Sequence, residues 1–519
     1  MLVLTAKESR SPRASACAIP QTTMFRTLLV VASLASVIAY PASARGLPLR
    51  GGGEFQVNEK IFRGQRNAQV IYPTDASSFV IYWSGRLDSQ PGNHGVLARK
   101  FETNLATPHP SRVAATFPST LFQELALDSA HDGNVVGVWQ NSGRDGSDKG
   151  VFGGGFDSAG EGLGVHFAVN SYTTGTQYRP DIGVAPSGNF MVVWMNLDDS
   201  SYDVDIRARV FSADGQPVES EFVVATAAEG QPYNPAVAGT GDGFLVAWQA
   251  LEASGDLDEI VLRKIDSEGG FVGGKFVVNQ FTPGSQSDPA VAYGGDGTGV
   301  AVWQSASQDG DGLGVFARRL ARDGRPVGDE FQVNSFTTGN QFGATASVDD
   351  GGRAVFAWRS SPTAGRSGQD GDGLGLFGRA FSEAGLPITA EFQVNSYTTG
   401  DQGPARSEHI GLAQGPGGRF VVSWASEGQN YLPQYSNIFA QQFSLSPTDH
   451  TACGNPDRSA GVELVDAVQI LRGAVGLVAC SSCECDVNGS SRVEVSDALL
   501  VLAKAVGRTV EFRCPFCSE

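Results

Sequence analysis

Phe190-Met-Val-Val-Trp194 and Phe244-Leu-Val-Ala-Trp248 are two copies of one short apolar run, and its recurrence decides the fold. Phe79-Val-Ile-Tyr-Trp83 and Phe420-Val-Val-Ser-Trp424 repeat it toward either end of the chain. The seven tryptophans are Trp83, Trp139, Trp194, Trp248, Trp303, Trp358 and Trp424, with successive gaps of 56, 55, 54, 55, 55 and 66 residues. A fixed period of this size marks a repeat architecture.

Each unit begins with an alternating strand: Glu54-Phe-Gln-Val-Asn58, Glu221-Phe-Val-Val-Ala225, Glu330-Phe-Gln-Val-Asn334, Glu391-Phe-Gln-Val-Asn395. The second unit is degenerate, with Val113 in place of Phe. A loop follows, often Tyr/Phe-Thr-Thr-Gly-x-Gln, as at Tyr172–Gln177 and Phe336–Gln341. Then come a short strand such as Pro289-Ala-Val-Ala292, a tight Gly/Asp turn, the Trp strand, a longer loop, and a strand such as Val315-Phe-Ala-Arg-Arg-Leu320. Four short β-branched and aromatic strands per unit, punctuated by Gly, Asp and Pro, describe a propeller blade. The repeats start with an isolated Phe-Gln-Val-Asn strand and stop one strand short after Ile438–Phe443. The first strand is therefore expected to complete the last blade, which removes the open edges of a solenoid.

With Pro-x-Val-Ala innermost and Phe-Gln-Val-Asn outermost, the post-Trp loops and the Thr-Thr-Gly-x-Gln loops share one face, and the tight turns share the other. Long loops on a rigid scaffold are the expected place for binding. The tryptophans recur in every copy and are expected to pack between blades. Two post-Trp loops are nearly identical, Gln308-Asp-Gly-Asp-Gly-Leu-Gly314 and Gln369-Asp-Gly-Asp-Gly-Leu-Gly375. Carboxylates at alternate positions beside turn-forming glycines suit calcium, which makes Asp309, Asp311, Asp370 and Asp372 candidate ligands. The plainer reading is an Asp-Gly turn on a solvated acidic rim.

Composition narrows the function. Met24-Phe-Arg26, the apolar run from Leu28 to Ala39 and the small-x-small site Ala42-Ser43-Ala44 read as a secretory signal over residues 1–44, with Met24 a candidate true start. No membrane span is expected after its cleavage. The formal net charge is −18, and about −21 once that segment's four basic residues and one acidic residue are removed. Such acidity argues against nucleic acid as a partner. Six of the seven cysteines, Cys453, Cys480, Cys483, Cys485, Cys514 and Cys517, fall near the C-terminus. In an exported module they read as disulfides, and the two Cys-x-x-Cys pairs leave a zinc site as the alternative. No His-Glu-x-x-His, Gly-x-Ser-x-Gly or sialidase aspartate box is present.

The last 67 residues hold a duplication. Asn455-Pro-Asp-Arg-Ser-Ala-Gly-Val-Glu-Leu-Val-Asp466 aligns without gaps to Asp486-Val-Asn-Gly-Ser-Ser-Arg-Val-Glu-Val-Ser-Asp497, and each leads into an apolar helical pattern ending in Gly. The spacing puts calcium ligands at Asn455, Asp457, Ser459, Glu463 and Asp466 with the Gly461 carbonyl, and at Asp486, Asn488, Ser490, Glu494 and Asp497 with the Arg492 carbonyl. This pattern resembles the type I dockerin, and the resemblance implies two Ca2+ ions and a cohesin-like partner. Leu464-Val465 and Val495-Ser496 replace the Ser-Thr pair that often faces cohesin. The propeller repeats resemble those of exported bacterial proteins.

The expectation is a mainly β chain: a seven-bladed β-propeller over residues 45–446, then a small α-helical, duplicated calcium-loop, dockerin-like domain over residues 447–519. Its first functional reading is an exported binding or scaffold protein, with a glycan or protein ligand on the long-loop face. The alternative is a polysaccharide-active hydrolase using loop carboxylates. Paired acids at the channel mouth would favour the hydrolase; a rim of acids without such a pair would favour binding.

Overall fold

A computed structural model describes residues 47–445, apart from 60–63, 74–76, 88–92, 106–108, 119–121, 130–132, 143–145, 147, 252–257, 363–367, 404–408 and 430–435, together with 498–499 and 501–502. Between residues 47 and 445 the chain forms seven blades, each of four antiparallel strands around a central channel. Blade 1 runs, from channel to rim, Arg66–Ile71, Ser78–Arg86, Asn93–Glu102 and Arg112–Pro118. The degenerate repeat around Val113 thus still forms an outer strand. Blades 2 and 3 are linked by one parallel bridge, Thr176 to Lys149.

Blade 7 shows how the ring closes. Its Gly411–Gln414, Arg419–Glu427 and Ser436–Ser444 strands come from the end of the repeats. Its outer positions come from the beginning: Leu49–Arg50 and Phe55–Gln56 pair antiparallel with Ser436–Ser444. Val57 N donates to Ile438 O at 2.8 Å, and Ile438 N donates to Asn58 Oδ1 at 2.8 Å. The expected closure is what the chain adopts.

The Trp strands are apolar throughout because both of their faces are buried. Alternate side chains of a strand point to opposite faces. In Phe190–Leu197, Phe190, Val192 and Trp194 pack toward blade 2, while Met191 and Val193 pack toward blade 4. The same division holds for Phe244–Trp248: Phe244, Val246 and Trp248 face blade 3, and Leu245 and Ala247 face blade 5. Seven apolar clusters result, one per blade-blade interface, and each contains one tryptophan. Every tryptophan is at most 1% exposed. Burying a side chain of that size is worth roughly 4–6 kcal/mol of transfer free energy.

The recurring polar residues clamp neighbouring blades together. An arginine of the third strand donates Nη1 to the outer-strand valine carbonyl of the preceding blade in five copies: Arg99 to Val57 at 2.8 Å, Arg209 to Val169 at 3.1 Å, Arg263 to Val224 at 2.6 Å, Arg318 to Val278 at 2.9 Å and Arg379 to Val333 at 3.0 Å. The motif glutamate reaches back in the same direction. Glu221 Oε2 accepts from Ser171 N at 2.6 Å and Tyr172 N at 3.0 Å, and Glu54 Oε2 accepts from Ser396 N at 2.6 Å. The motif asparagine extends the ladder past the strand end, as where Asn170 Oδ1 accepts from Val151 N and Asn334 Oδ1 from Val315 N, both at 2.8 Å. The Glu-Phe-Gln-Val-Asn signature is therefore scaffold chemistry.

The expected signal segment, residues 1–44, lies outside the described residues, as do all six C-terminal cysteines and every candidate ligand of the duplicated loops from Asn455 to Asp497. Within the expected second helix, Ala498, Leu499, Val501 and Leu502 are helical. Among the described residues, no helix is long and apolar enough to cross a membrane.

Candidate functional site

The seven inner strands enclose a channel of about 510 Å³. Near the start of the inner strand, blades 1 to 6 carry a β-bulge where the register with the Trp strand shifts. The bulged residue is left-handed in each: Asn67 (φ 51°), Glu124 (52°), Arg179 (52°), Asn234 (51°), Asp288 (48°) and Gly343 (60°). His409 holds the corresponding place before the inner strand of blade 7. This end of the inner strand follows the Thr-Thr-Gly-x-Gln loop, so the ring lies at the long-loop mouth. Asn and Asp tolerate left-handed backbone; Glu and Arg do so at a cost of order 1–2 kcal/mol. Bulges and strain of this kind concentrate where side chains are aimed at a ligand.

Unlike the clamp residues, the ring residues change from blade to blade, and they connect to one another. Arg179 N donates to Glu124 Oε2 at 2.9 Å, and Arg179 Nε stands 3.7 Å from Glu124 Oε1. Arg179 Nη1 donates to Asn234 Oδ1, and Asn234 Nδ2 donates to Asp288 Oδ1 at 2.7 Å. One polar chain thus spans blades 2 to 5. Behind it, the residue after Trp supports the bulge of the next blade: Gln140 Oε1 accepts from Arg179 N and Gln304 Oε1 from Gly343 N, each at 3.3 Å. In blade 6 that residue is Arg359, which is 2% exposed and donates Nε to Gly403 O at 2.9 Å.

Two further carboxyls line the channel. Asp128 Oδ2 accepts from Val184 N at 2.7 Å, and Asp181 Oδ2 from Val237 N at 2.8 Å, each across a blade boundary. Burial pushes Asp128 up to about 6, against the pull of the Val184 and Ser129 N–H groups. Burial pushes Asp181 up to about 7, with the Asp128 charge adding to the rise. Burial also raises Glu124, and Arg179 opposes that rise. His409 is exposed and lines the channel. The protein packed around it, and then the charges of Arg359 and Arg179, nevertheless push its pKa down to about 4. The channel thus combines protonatable carboxyls along its wall with a guanidinium and an imidazole at its mouth, a set able to bind hydroxyl groups and move protons.

The Asp128 and Asp181 shifts carry a stability consequence. Their folded pKa values exceed the ordinary carboxyl value, so between pH about 4 and 7 the native state binds more protons than the unfolded chain. Their contribution therefore weakens as pH rises through that window. His409 acts in the opposite sense between pH about 4 and 6.5, so single substitutions are needed to separate the groups. Asp181→Asn keeps an acceptor for Val237 N and removes the charge. The variant is expected to match the parent near pH 4 and to exceed it by about 2–4 kcal/mol at pH 8, read by thermal unfolding at both pH values. An equal difference at both pH values would contradict the raised pKa.

The Asp-Gly-Asp-Gly candidates sit on the shared long-loop face and hold the loops of that face together. Asn334 Nδ2 donates to Asp309 Oδ2 at 3.0 Å, and Gly339 N donates to Asp311 Oδ2 at 3.1 Å. The second loop repeats this: Asn395 Nδ2 donates to Asp370 Oδ2 at 3.3 Å, and Gly400 N to Asp372 Oδ2 at 3.2 Å. Burial raises the pKa of both Asp309 and Asp370. Among the described residues, no three or more His, Cys, Asp or Glu side chains are gathered as a metal cluster.

The channel ring was missed by motif reading, because it has no motif. Its signal is a repeat-aligned position, just before Pro180, Pro235 and Pro289, that is polar yet different in copy after copy.

No protein-family model matches the chain, and no curated protein matches it. Among solved structures it is similar to an α-L-arabinofuranosidase of Fusarium graminearum, at 11% identity and TM-score 0.44, covering 62% of this chain and 93% of that one. A polysaccharide lyase, Uly1, is similar at 9% identity and TM-score 0.40, covering 78% and 100%. The β-propeller domain of the Trilobed protease from Pyrococcus furiosus is similar at 8% identity and TM-score 0.41, covering 74% and 97%. Likenesses this distant carry no argument about activity.

Proposed function

We propose that the long-loop mouth of the channel is a carbohydrate site that cleaves glycosidic bonds, the reading placed second on sequence. One observation carries it: Glu124 sits beside the Arg179 guanidinium at the mouth, and burial pushes two further carboxyls along the channel wall, Asp128 and Asp181, up to about 6 and 7. Glycoside hydrolysis needs one protonated carboxyl for the leaving oxygen and one carboxylate as base or nucleophile. Asp181 suits the first role, and Glu124, beside the Arg179 charge, suits the second. Arg179, Asn234 and Asp288 supply donors and acceptors for sugar hydroxyls. The test is a hydrolysis screen of the full chain with Glu124→Gln and Asp181→Asn.

A second reading, binding without turnover, is favoured by the backbone N–H groups that Asp128 and Asp181 already accept. Those bonds suffice to explain both residues as staples between blades. Saccharide binding that survives with no turnover would select it.

The chain is exported through residues 1–44, and the loops of residues 447–519 bind two Ca2+ ions in a disulfide-stapled module that docks to a partner. Support for this is the doubled ligand register and the cysteine placement. Asp309, Asp311, Asp370 and Asp372 are secondary calcium candidates. Calorimetric titration of the full chain with Ca2+ is expected to show two sites, with Asp497→Ala and Asp466→Ala each removing one. Two sites that persist in the double variant would place the metal elsewhere.

A further inference from the structure

Two tyrosines of neighbouring blades stand directly before the ring residues at the channel mouth. Tyr178 precedes Arg179 in the inner strand of blade 3, and Tyr233 precedes Asn234 in that of blade 4. At the same position blades 1, 2, 5 and 6 have Arg66, Gln123, Ser287 and Phe342, and Phe342 is buried. Both tyrosines are half-buried. Each inner strand enters the channel from the long-loop face. The pair therefore lies one residue outside the contact in which Arg179 Nη1 donates to Asn234 Oδ1. Burial raises the Tyr178 phenol; Arg179 opposes the rise, and Tyr233 and then Glu124 add to it, as expected of groups gathered at one end of the channel.

The scaffold makes use of its other tyrosines. The Tyr82 ring lies 5.4 Å from that of Phe156, and its hydroxyl donates to Asp157 O at 3.4 Å. Tyr293 and Tyr397 donate to Ala321 O at 3.1 Å and Gly428 O at 3.2 Å. Tyr172 carries the Arg207 guanidinium 4.4 Å above its ring. Among the described residues, Tyr178 and Tyr233 have neither a hydrogen-bond partner for the hydroxyl nor a ring or guanidinium on the aromatic face. A buried phenol ordinarily finds a partner, and a half-buried one with both its ring and its hydroxyl uncommitted is built like a binding side chain.

The surroundings select the ligand. The negative face of an aromatic ring attracts C–H groups that neighbouring oxygens have made positive, and a pyranose offers a sheet of such groups. A charged sugar is disfavoured, because it would meet the Glu124 carboxylate, whose counter-charge on Arg179 is already engaged. The formal charge of −18 likewise disfavours a polyanion.

We infer that Tyr178 and Tyr233 form an aromatic platform at the channel mouth that takes the C–H face of a neutral pyranose. The inference rests on the carbohydrate reading and narrows its substrate class. It also sets the path of the substrate, which crosses the mouth over blades 3 and 4, next to Glu124 and Asp181.

The test is calorimetry on the full chain with four neutral disaccharides, galactobiose, cellobiose, xylobiose and mannobiose, and with digalacturonate. At least one neutral probe is expected to bind, and more tightly than digalacturonate. Tyr178→Ala and Tyr233→Ala are each expected to weaken it by about tenfold or more. Tyr178→Phe and Tyr233→Phe keep the rings and are expected to retain most of the affinity. Proton NMR reads the stack directly: sugar C–H signals are expected to move upfield with the parent and the phenylalanine variants, and not with the alanine variants. Unchanged affinity in both alanine variants, phenylalanine variants as weak as the alanine ones, or tighter binding of digalacturonate than of every neutral probe would overturn the platform and leave the carbohydrate reading standing. Binding of no saccharide at all would overturn both.

Discussion

Deleting residues 47–58 is expected to abolish the stable monomer. The segment is the outer strand of blade 7 although it lies some 380 residues from its partner in sequence. Val57 is fully buried, in the cluster between blades 7 and 1 that also holds Trp83, Phe101 and Ile438, with Phe55 packed beside it. Its loss removes those apolar contacts, the Arg99 acceptor at Val57 O and the Glu54 contacts to Ser396. It also bares the edge of Ser436–Ser444, and an exposed edge recruits other chains. Core truncation costs roughly 2–5 kcal/mol per large side chain, against a typical total stability of 5–15 kcal/mol. The expected result is a melting temperature lower by 10 °C or more together with oligomers on size exclusion. A monomer that melts like the parent would show that the ring does not depend on this closure.

Glu124→Gln and Asp181→Asn are each expected to lower glycoside turnover by about 10²–10⁴-fold, the usual worth of a positioned acid or base. Both substitutions preserve shape and the capacity to accept hydrogen bonds. Arg179 N retains an acceptor at position 124, and Val237 N retains one at position 181. Asp181→Asn is expected to stabilise the fold at pH 8 while removing activity. A substitution that damages function by unfolding the protein cannot produce that opposite pair of effects. Asp214→Asn, in a tight turn between third and outer strands, serves as the surface control.

The propeller was legible because its information is local and repeated. A run such as Phe190–Trp194 states in five residues that both faces of a strand are buried, and seven copies at one stride state the rest. Strand order and closure followed from where the copies begin and end. The position held by Asn67, Glu124, Arg179, Asn234, Asp288, Gly343 and His409 had no such support, since only Asn occurs there twice and averaging over copies erases the rest. Left-handed backbone at Glu124 and Arg179 also runs against the preference of those residues, so propensity gave no hint of the bulge that aims them. The recurring acidic loops drew attention instead, and their carboxylates at 309, 311, 370 and 372 turn out to bridge loops of the same face. In this chain recurrence marks the scaffold, and departure from recurrence marks the candidate site.

The central claim is that the channel mouth carries out chemistry on a saccharide. The most direct test incubates the full chain, Glu124→Gln and Asp181→Asn with a panel of neutral and acidic polysaccharides and measures new reducing ends. The account predicts release by the parent and by Asp214→Asn, and loss of at least 10²-fold in both channel variants, each still folded. Release that is unchanged in both channel variants, or no release by the parent on any member of the panel, would contradict it.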